Sequence, residues 1–134
     1  MHIGVTGTRN GMNAKQREQV LRYFDGLQHT HTLHHGDCVG VDVQVAEIAK
    51  SFGWRVIAHP PENPVLRAWH MSDEIRQTKP YLVRNHDIVD ESTHLWVVPK
   101  EMEEVLRSGV WSTHRYAGRK NRVRAIIWPQ NMGR

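Results

Sequence analysis

Two short apolar runs that break at glycine and lead straight into helical periodicity restrict this chain to an open α/β architecture. The first is Ile3-Gly4-Val5-Thr6-Gly7-Thr8-Arg9. The second is Leu33-His34-His35-Gly36-Asp37-Cys38-Val39-Gly40-Val41-Asp42. A strand that stops at glycine and yields at once to a helix is the repeating unit of a parallel sheet with right-handed crossovers. The same unit offers backbone N–H groups and side chains beyond the strand's carboxyl end, where phosphorylated ligands bind in open α/β sheets.

The remaining pattern extends the alternation. Residues 2–6 read as the first strand. Asn13 is placed to cap a helix in which Val20, Phe24 and Leu27 recur at helical spacing, with Leu21 beside them. Residues 31–35 give the second strand. Val41, Val45, Ile48, Ala49 and Phe52 mark one face of the second helix, which Gly53 stops. Residues 55–59 form a third strand ended by Pro60-Pro61. Residues 62–79 show no clear period, with Pro64 near their start and Pro80 just after their end, which predicts a loop with a short helix; loops of this length are often functional. A short helix over 81–89, a fourth strand over 93–98, a helix from about 110 to 120 and a last strand over 123–128 complete the chain. The expectation is α/β: a single Rossmann-like domain over residues 1–134, with a mostly parallel five-stranded sheet and helices on both faces.

A chain of 134 residues, 39% hydrophobic, is the size of one domain with a real core. No stretch approaches the roughly 20 apolar residues of a membrane span, and the N-terminus has no signal-peptide pattern. Cys38 is the only cysteine, which excludes an internal disulfide and fits a reducing compartment. A cytoplasmic protein is expected. The net charge of +4 conceals an asymmetry: all 14 acidic residues lie at or before Glu104, and Arg107, Arg115, Arg119, Lys120, Arg122, Arg124 and Arg134 follow. Such a basic quarter suits a polyanion or a small phosphorylated ligand, or is simply a solvated helix face. Nucleic acid is the weaker of these partners, because few aromatics are placed for stacking.

Candidate ligand residues follow from the breaks. Gly7 permits close backbone approach, Thr8 supplies a hydroxyl, and Arg9 can fork onto phosphate. Gly36 and Gly40 let the second turn fold tightly. Asp37 and Asp42 can accept from ribose hydroxyls or a base amine, and Asp42 equally suits a helix N-terminus. Arg84 and Asn85 offer a cationic fork and an amide to a sugar phosphate, or lie on an exposed helix with an Arg84–Asp87 pair. Ser108, Gly109, Ser112 and Thr113 surround a helix start able to bind an anion. Trp111 either stacks on a base or packs in the core. There is no Walker loop, no intact Gly-x-Gly-x-x-Gly and, despite ten histidines, no His-Glu-x-x-His or Cys-x-x-Cys. Neither a metal nor a cofactor is expected. Trp69, Trp96, Trp111 and Trp128 exceed what so small a core needs, which predicts an interface and a homo-oligomer.

Taken together, Gly4 to Arg9, His35 to Asp42, Gly53-Trp54-Arg55-Val56 before the proline loop, and Ser108 to Thr113 resemble the SLOG superfamily. This Rossmann-like group includes the Smf/DprA domain and the cytokinin-activating phosphoribohydrolases. The nearest likeness is to its small stand-alone YspA/YpsA-like branch, over nearly the whole chain. The resemblance implies a nucleotide-derived ligand at the sheet edge, whether sensed, sequestered or split at its N-glycosidic bond. In the hydrolases a Pro-Gly-Gly-x-Gly-Thr stretch is followed closely by a catalytic glutamate. Here Thr113 is followed by His114 and Arg115, and Glu101, Glu103 and Glu104, just upstream, substitute only if the loop folds back. A binding module for a nucleotide or ADP-ribose-like molecule is therefore the first reading. An N-glycosidase of nucleoside monophosphates, with Asp37 and then Glu104 as candidate acids, is the second. A nucleic-acid binder is the third.

Overall fold

The computed structural model describes residues 1–130; Arg134, counted above in the basic quarter, lies outside them. Six parallel strands form one sheet in the order β4-β3-β2-β1-β5-β6. In chain order these are β1 (His2–Gly7), α1 (Ala14–Gly26), β2 (Thr32–His35), α2 (Val41–Ser51), β3 (Arg55–Ala58), β4 (Glu74–Ile75), α3 (Tyr81–Asp90), β5 (His94–Val98), α4 (Gly109–Arg119) and β6 (Val123–Ile126).

The expected five-stranded sheet gains one strand. β4 pairs Glu74 with Ile57 and Ile75 with Ala58, inside the segment read as loop. Two residues are too few to display an alternating pattern. The short helix expected there is the 3-10 turn Pro64–Leu66, capped by Asn63.

Side-chain alternation along the strands divides the core between two faces. Val20 and Phe24 of α1 and Val41, Val45 and Ile48 of α2 pack with Ile3, Leu33, Val56, Trp96 and Val98. On the other face, Ile88 and Val89 of α3 and Trp111 and Ala117 of α4 pack with Leu95 and Val97. Successive residues of β5 thus face opposite helix layers, as a strand buried on both sides requires. Trp96 and Trp111 are core residues and Trp128 packs on Trp111. Of the four tryptophans assigned to an excess, Trp69 alone stands in solvent, 62% exposed with the Arg67 guanidinium over its ring. Among the described residues no helix is long and apolar enough to cross a membrane.

Two devices set the upper edge of the sheet. Asn13 and Gln16 form a reciprocal capping box at the start of α1. The buried Gln16 amide then donates to Pro99 O at 2.7 Å and Ile127 O at 3.0 Å, joining α1 to the ends of β5 and β6. After β1 the chain works outward through β2 and β3 to β4, then returns to place β5 on the other side of β1. The crevice at such a reversal of strand order is where α/β sheets bind ligands.

Candidate functional site

A cleft of about 570 Å³ opens at that reversal, over the carboxyl end of β1. This is within the usual range for small-molecule sites. Its floor is Val5, Thr6 and Gly7. The loop after β1 supplies Thr8, Arg9 and Asn10, α3 supplies Tyr81, Arg84 and Asn85, and the loop after β5 supplies Lys100, Glu101 and Arg107 before Ser108 and Gly109 open α4.

The first junction is shaped by packing beneath it. A Cβ on Gly7 would collide with the Val41 side chain, so glycine lets α2 start directly against β1. Thr8 N donates to Val98 O at 3.0 Å, closing the junction onto β5, and Thr8 O accepts from Val41 N and Gly11 N. Thr8 Oγ1 accepts from Asn10 N at 3.1 Å. Arg9 extends from this turn and is exposed. Opposite it, the Ser108 hydroxyl accepts from Trp111 N at 3.4 Å and caps α4. Ser108, Gly109 and Val110, at the N-terminal end of α4 where the helix dipole is positive, line the same cleft as Arg9, Lys100 and Arg107. Three cations and a helix N-terminus around one opening form an anion-receptive mouth.

The second junction is internally bonded. Gly40, at φ +93°, takes a conformation that L side chains rarely adopt, and a Cβ there would strike the Arg9 backbone. It supports Arg9 from below and does not line the cleft. Asp37 is 1% exposed and sits at φ +55°. Its carboxylate accepts from Arg67 Nε at 2.8 Å and His70 N at 2.9 Å, and its carbonyl accepts from Ala68 N at 2.7 Å. Asp37 therefore anchors the proline-rich segment across the β2–α2 turn, outside the cleft, and the long loop is largely its partner. Asp42 lines the cleft from beneath. Its Oδ2 accepts from Gly36 N at 3.1 Å and Cys38 N at 3.4 Å. Burial pushes this carboxyl up to about 6, while Arg84 and the two N–H bonds pull it down. Burial, and then Asp42, also raise the Cys38 thiol.

Arg84 corrects the exposed-helix reading of α3. It is 3% exposed, and its guanidinium donates to Gly36 O, to His59 O at 3.1 Å, to Asn85 Oδ1 at 2.6 Å and to Cys38 Sγ at 3.4 Å. It braces the second junction, and Asp87 pairs instead with Lys79 at 2.6 Å. Ser112 and Thr113 lie one turn inside α4, away from the cleft lining; Thr113 is buried and its hydroxyl donates back to Gly109 O. Glu104 is exposed and pairs with Arg115 at 2.6 Å, also outside the lining. Trp111 packs in the core.

The sequence reading gave no role to Tyr81 or Lys100, which line the cleft, and gave Glu101 only as an acid that substitutes if its loop folds back. Glu101 presents a carboxylate in the cleft, oriented by Trp111 Nε1, which donates to it at 3.0 Å. Tyr81 sets its hydroxyl against Gly109, where any side chain would collide with it. A usable signal existed for both missed residues: Lys100 follows the proline that ends β5, and Tyr81 follows the proline that starts α3.

No family model matches the sequence, and no curated protein matches it. The fold is similar to that of TM1055, a structural-genomics target solved by X-ray crystallography, at TM-score 0.64 and 10% identity, over 92% of this chain and 71% of that one. At that identity the likeness establishes a Rossmann-like α/β fold.

Proposed function

We propose that this protein is a binding module for a nucleotide or nucleotide-derived ligand, such as a nucleoside monophosphate or an ADP-ribose-like molecule, held in the cleft above β1. The observation that carries this reading is the convergence of the Gly7–Arg9 turn, the α4 N-terminus and the cations Arg9, Lys100 and Arg107 on one opening. Phosphate oxygens would receive the backbone N–H groups of Ser108 and Gly109 and the Arg9 fork. Tyr81, about half exposed, offers an aromatic face at the cleft wall for a base. The likeness to the SLOG superfamily in these segments supports the same ligand class.

Catalysis is the second reading, and one observation favours it: Glu101 puts a carboxylate inside the cleft. An N-glycosidase needs such a group to stabilise an oxocarbenium-like centre or activate water. Of the other acids named from sequence, Asp37 is engaged with Arg67 and His70 and Glu104 lies outside the lining. Binding remains the first reading because the glutamate expected after Thr113 is replaced by His114.

The test is thermal shift and calorimetry with nucleoside monophosphates, ADP-ribose and NAD, followed by chromatography of the bound ligand. A ligand at a hundred times its Kd adds about 2.7 kcal/mol of stability. The expected result is a shift with one class, ligand recovered intact, and loss of the shift in Arg9→Ala. Absence of any shift refutes the binding reading. Release of free base that stops in Glu101→Gln establishes the hydrolase instead.

A further inference from the structure

Outside the cleft, three histidines stand in file across the sheet. His2 Nδ1 lies 2.7 Å from His34 Nε2, and His34 Nδ1 lies 2.9 Å from His59 Nε2. They come from β1, β2 and the end of β3. His34 and His59 are buried. Packing alone does not account for them. A buried polar ring gives up the stability that valine or leucine would contribute and must be hydrogen-bonded to be tolerated at all. The proposed ligand cleft has no use for them either, since none of the three lines it.

The line ends at a carboxylate. One ligand atom each from His34, His59 and Glu91 lie within 4.8 Å of one another. A separate cleft of about 180 Å³, lined by His59, Arg76, Gln77, Lys79, Arg84 and Asp87, gives access from solvent.

We propose that His34, His59 and Glu91 form a three-ligand site for a divalent transition metal of the zinc class, with its fourth position open to this small cleft. Two imidazoles and one carboxylate are a donor set suited to zinc, whereas magnesium and calcium take oxygen ligands. Tetrahedral bonds of about 2.0–2.1 Å place two nitrogens roughly 3.3 Å apart, so the 2.9 Å pair need separate by only a few tenths of an ångström. His2 then accepts the proton on the other ring nitrogen of His34. Such an outer partner fixes the tautomer of a metal-bound histidine.

Arg76 occupies the cation's place at Glu91. Its guanidinium donates to both Glu91 oxygens, at 2.9 and 2.8 Å, and also to Glu74. Metal binding displaces Arg76 from Glu91 while leaving it paired with Glu74 at the surface. Arg76 is thus a competitor, and its removal strengthens the site.

The experiment uses the full chain stripped with a chelator. Zinc(II) is titrated against a chromophoric competitor, and cobalt(II) is followed by visible absorption. The proposal expects one equivalent bound, with four-coordinate cobalt bands. Glu91→Gln, at a partly exposed position that does not threaten folding, weakens binding at least tenfold. His59→Ala abolishes it, His2→Ala weakens it about tenfold, and Arg76→Gln tightens it. Circular dichroism checks that each variant is folded. Absence of stoichiometric binding overturns the proposal, as does binding unchanged in Glu91→Gln. Binding lost in His31→Ala and retained in His59→Ala also overturns it, by assigning the ion to the exposed pair of the Met1 amine and His31, 2.9 Å apart.

Discussion

The two glycine junctions carry similar residues and end in opposite conditions. At the first, Gly7 and Thr8 bind the turn to α2 and β5 through the backbone, and Arg9 stays exposed at the cleft mouth. At the second, the side chains bond to the protein itself. Asp37 holds Arg67 and His70, Asp42 holds two N–H groups, and Arg84 closes the turn from below. A polar loop residue is available to a ligand only when the protein has not already satisfied it. The second junction gives the first its shape, through Gly40 under Arg9 and Val41 under Gly7.

Acid should separate the two junctions most strongly. Burial, with His70 next, lowers His35 to about 3; burial, with His59 next, lowers His34 to about 3; and burial lowers His59 to about 4. The unfolded chain takes these protons near pH 6.5 and the native protein does not, so stability is full above 6.5 and is lost as pH falls toward 4. At pH 5 each imidazole kept neutral costs about 2 kcal/mol. Asp42 has the opposite sign: its carboxyl, near 6 when folded against 3.8 unfolded, gains stability as pH falls through that window. Three bases outweigh one acid. Denaturant titrations of metal-free protein at pH 7.5 and 5 should show a net loss, and Asp42→Asn should enlarge it. His35 Nδ1 accepts from Asp37 N, so protonation disrupts the second junction directly.

Next in size, Asp37→Ala leaves Arg67 without its buried partner and should cost about 3–5 kcal/mol in chemical unfolding. Gly40→Ala forces a side chain into a positive φ and should cost about 1–3 kcal/mol. It also pushes on Arg9, so ligand affinity should fall alongside stability. Smallest in stability is Arg9→Ala, which should stay within about 0.5 kcal/mol of wild type while weakening ligand binding tenfold or more by calorimetry. If Arg9→Ala destabilises the fold as much as Asp37→Ala does, the contrast between the junctions is lost.

Much of the layout was legible because strands and helices here announce themselves through period and glycine. Val20 and Phe24, and Val41, Val45 and Ile48, lie on the faces their spacing implies. Asn13 caps α1 as its residue type suggests. The edge strand β4 was not legible, because its pairing comes from β3 and not from its own sequence. The status of the acids was hidden for a similar reason. The partners of Asp37 lie 30 and 33 residues onward, and nothing near Asp37 marks them. The histidine site draws on positions 34, 59 and 91, and no local spacing connects them.

The outer strands have a further consequence. β4 is two residues long, and β6 carries Arg124 at an exposed position. Unpaired strand edges are where sheets recruit further strands, and shortness and charge are the usual protections. A second copy arriving edge-on would meet a two-residue template at one side and an arginine-bearing strand at the other. A continuous intermolecular sheet is therefore disfavoured by construction.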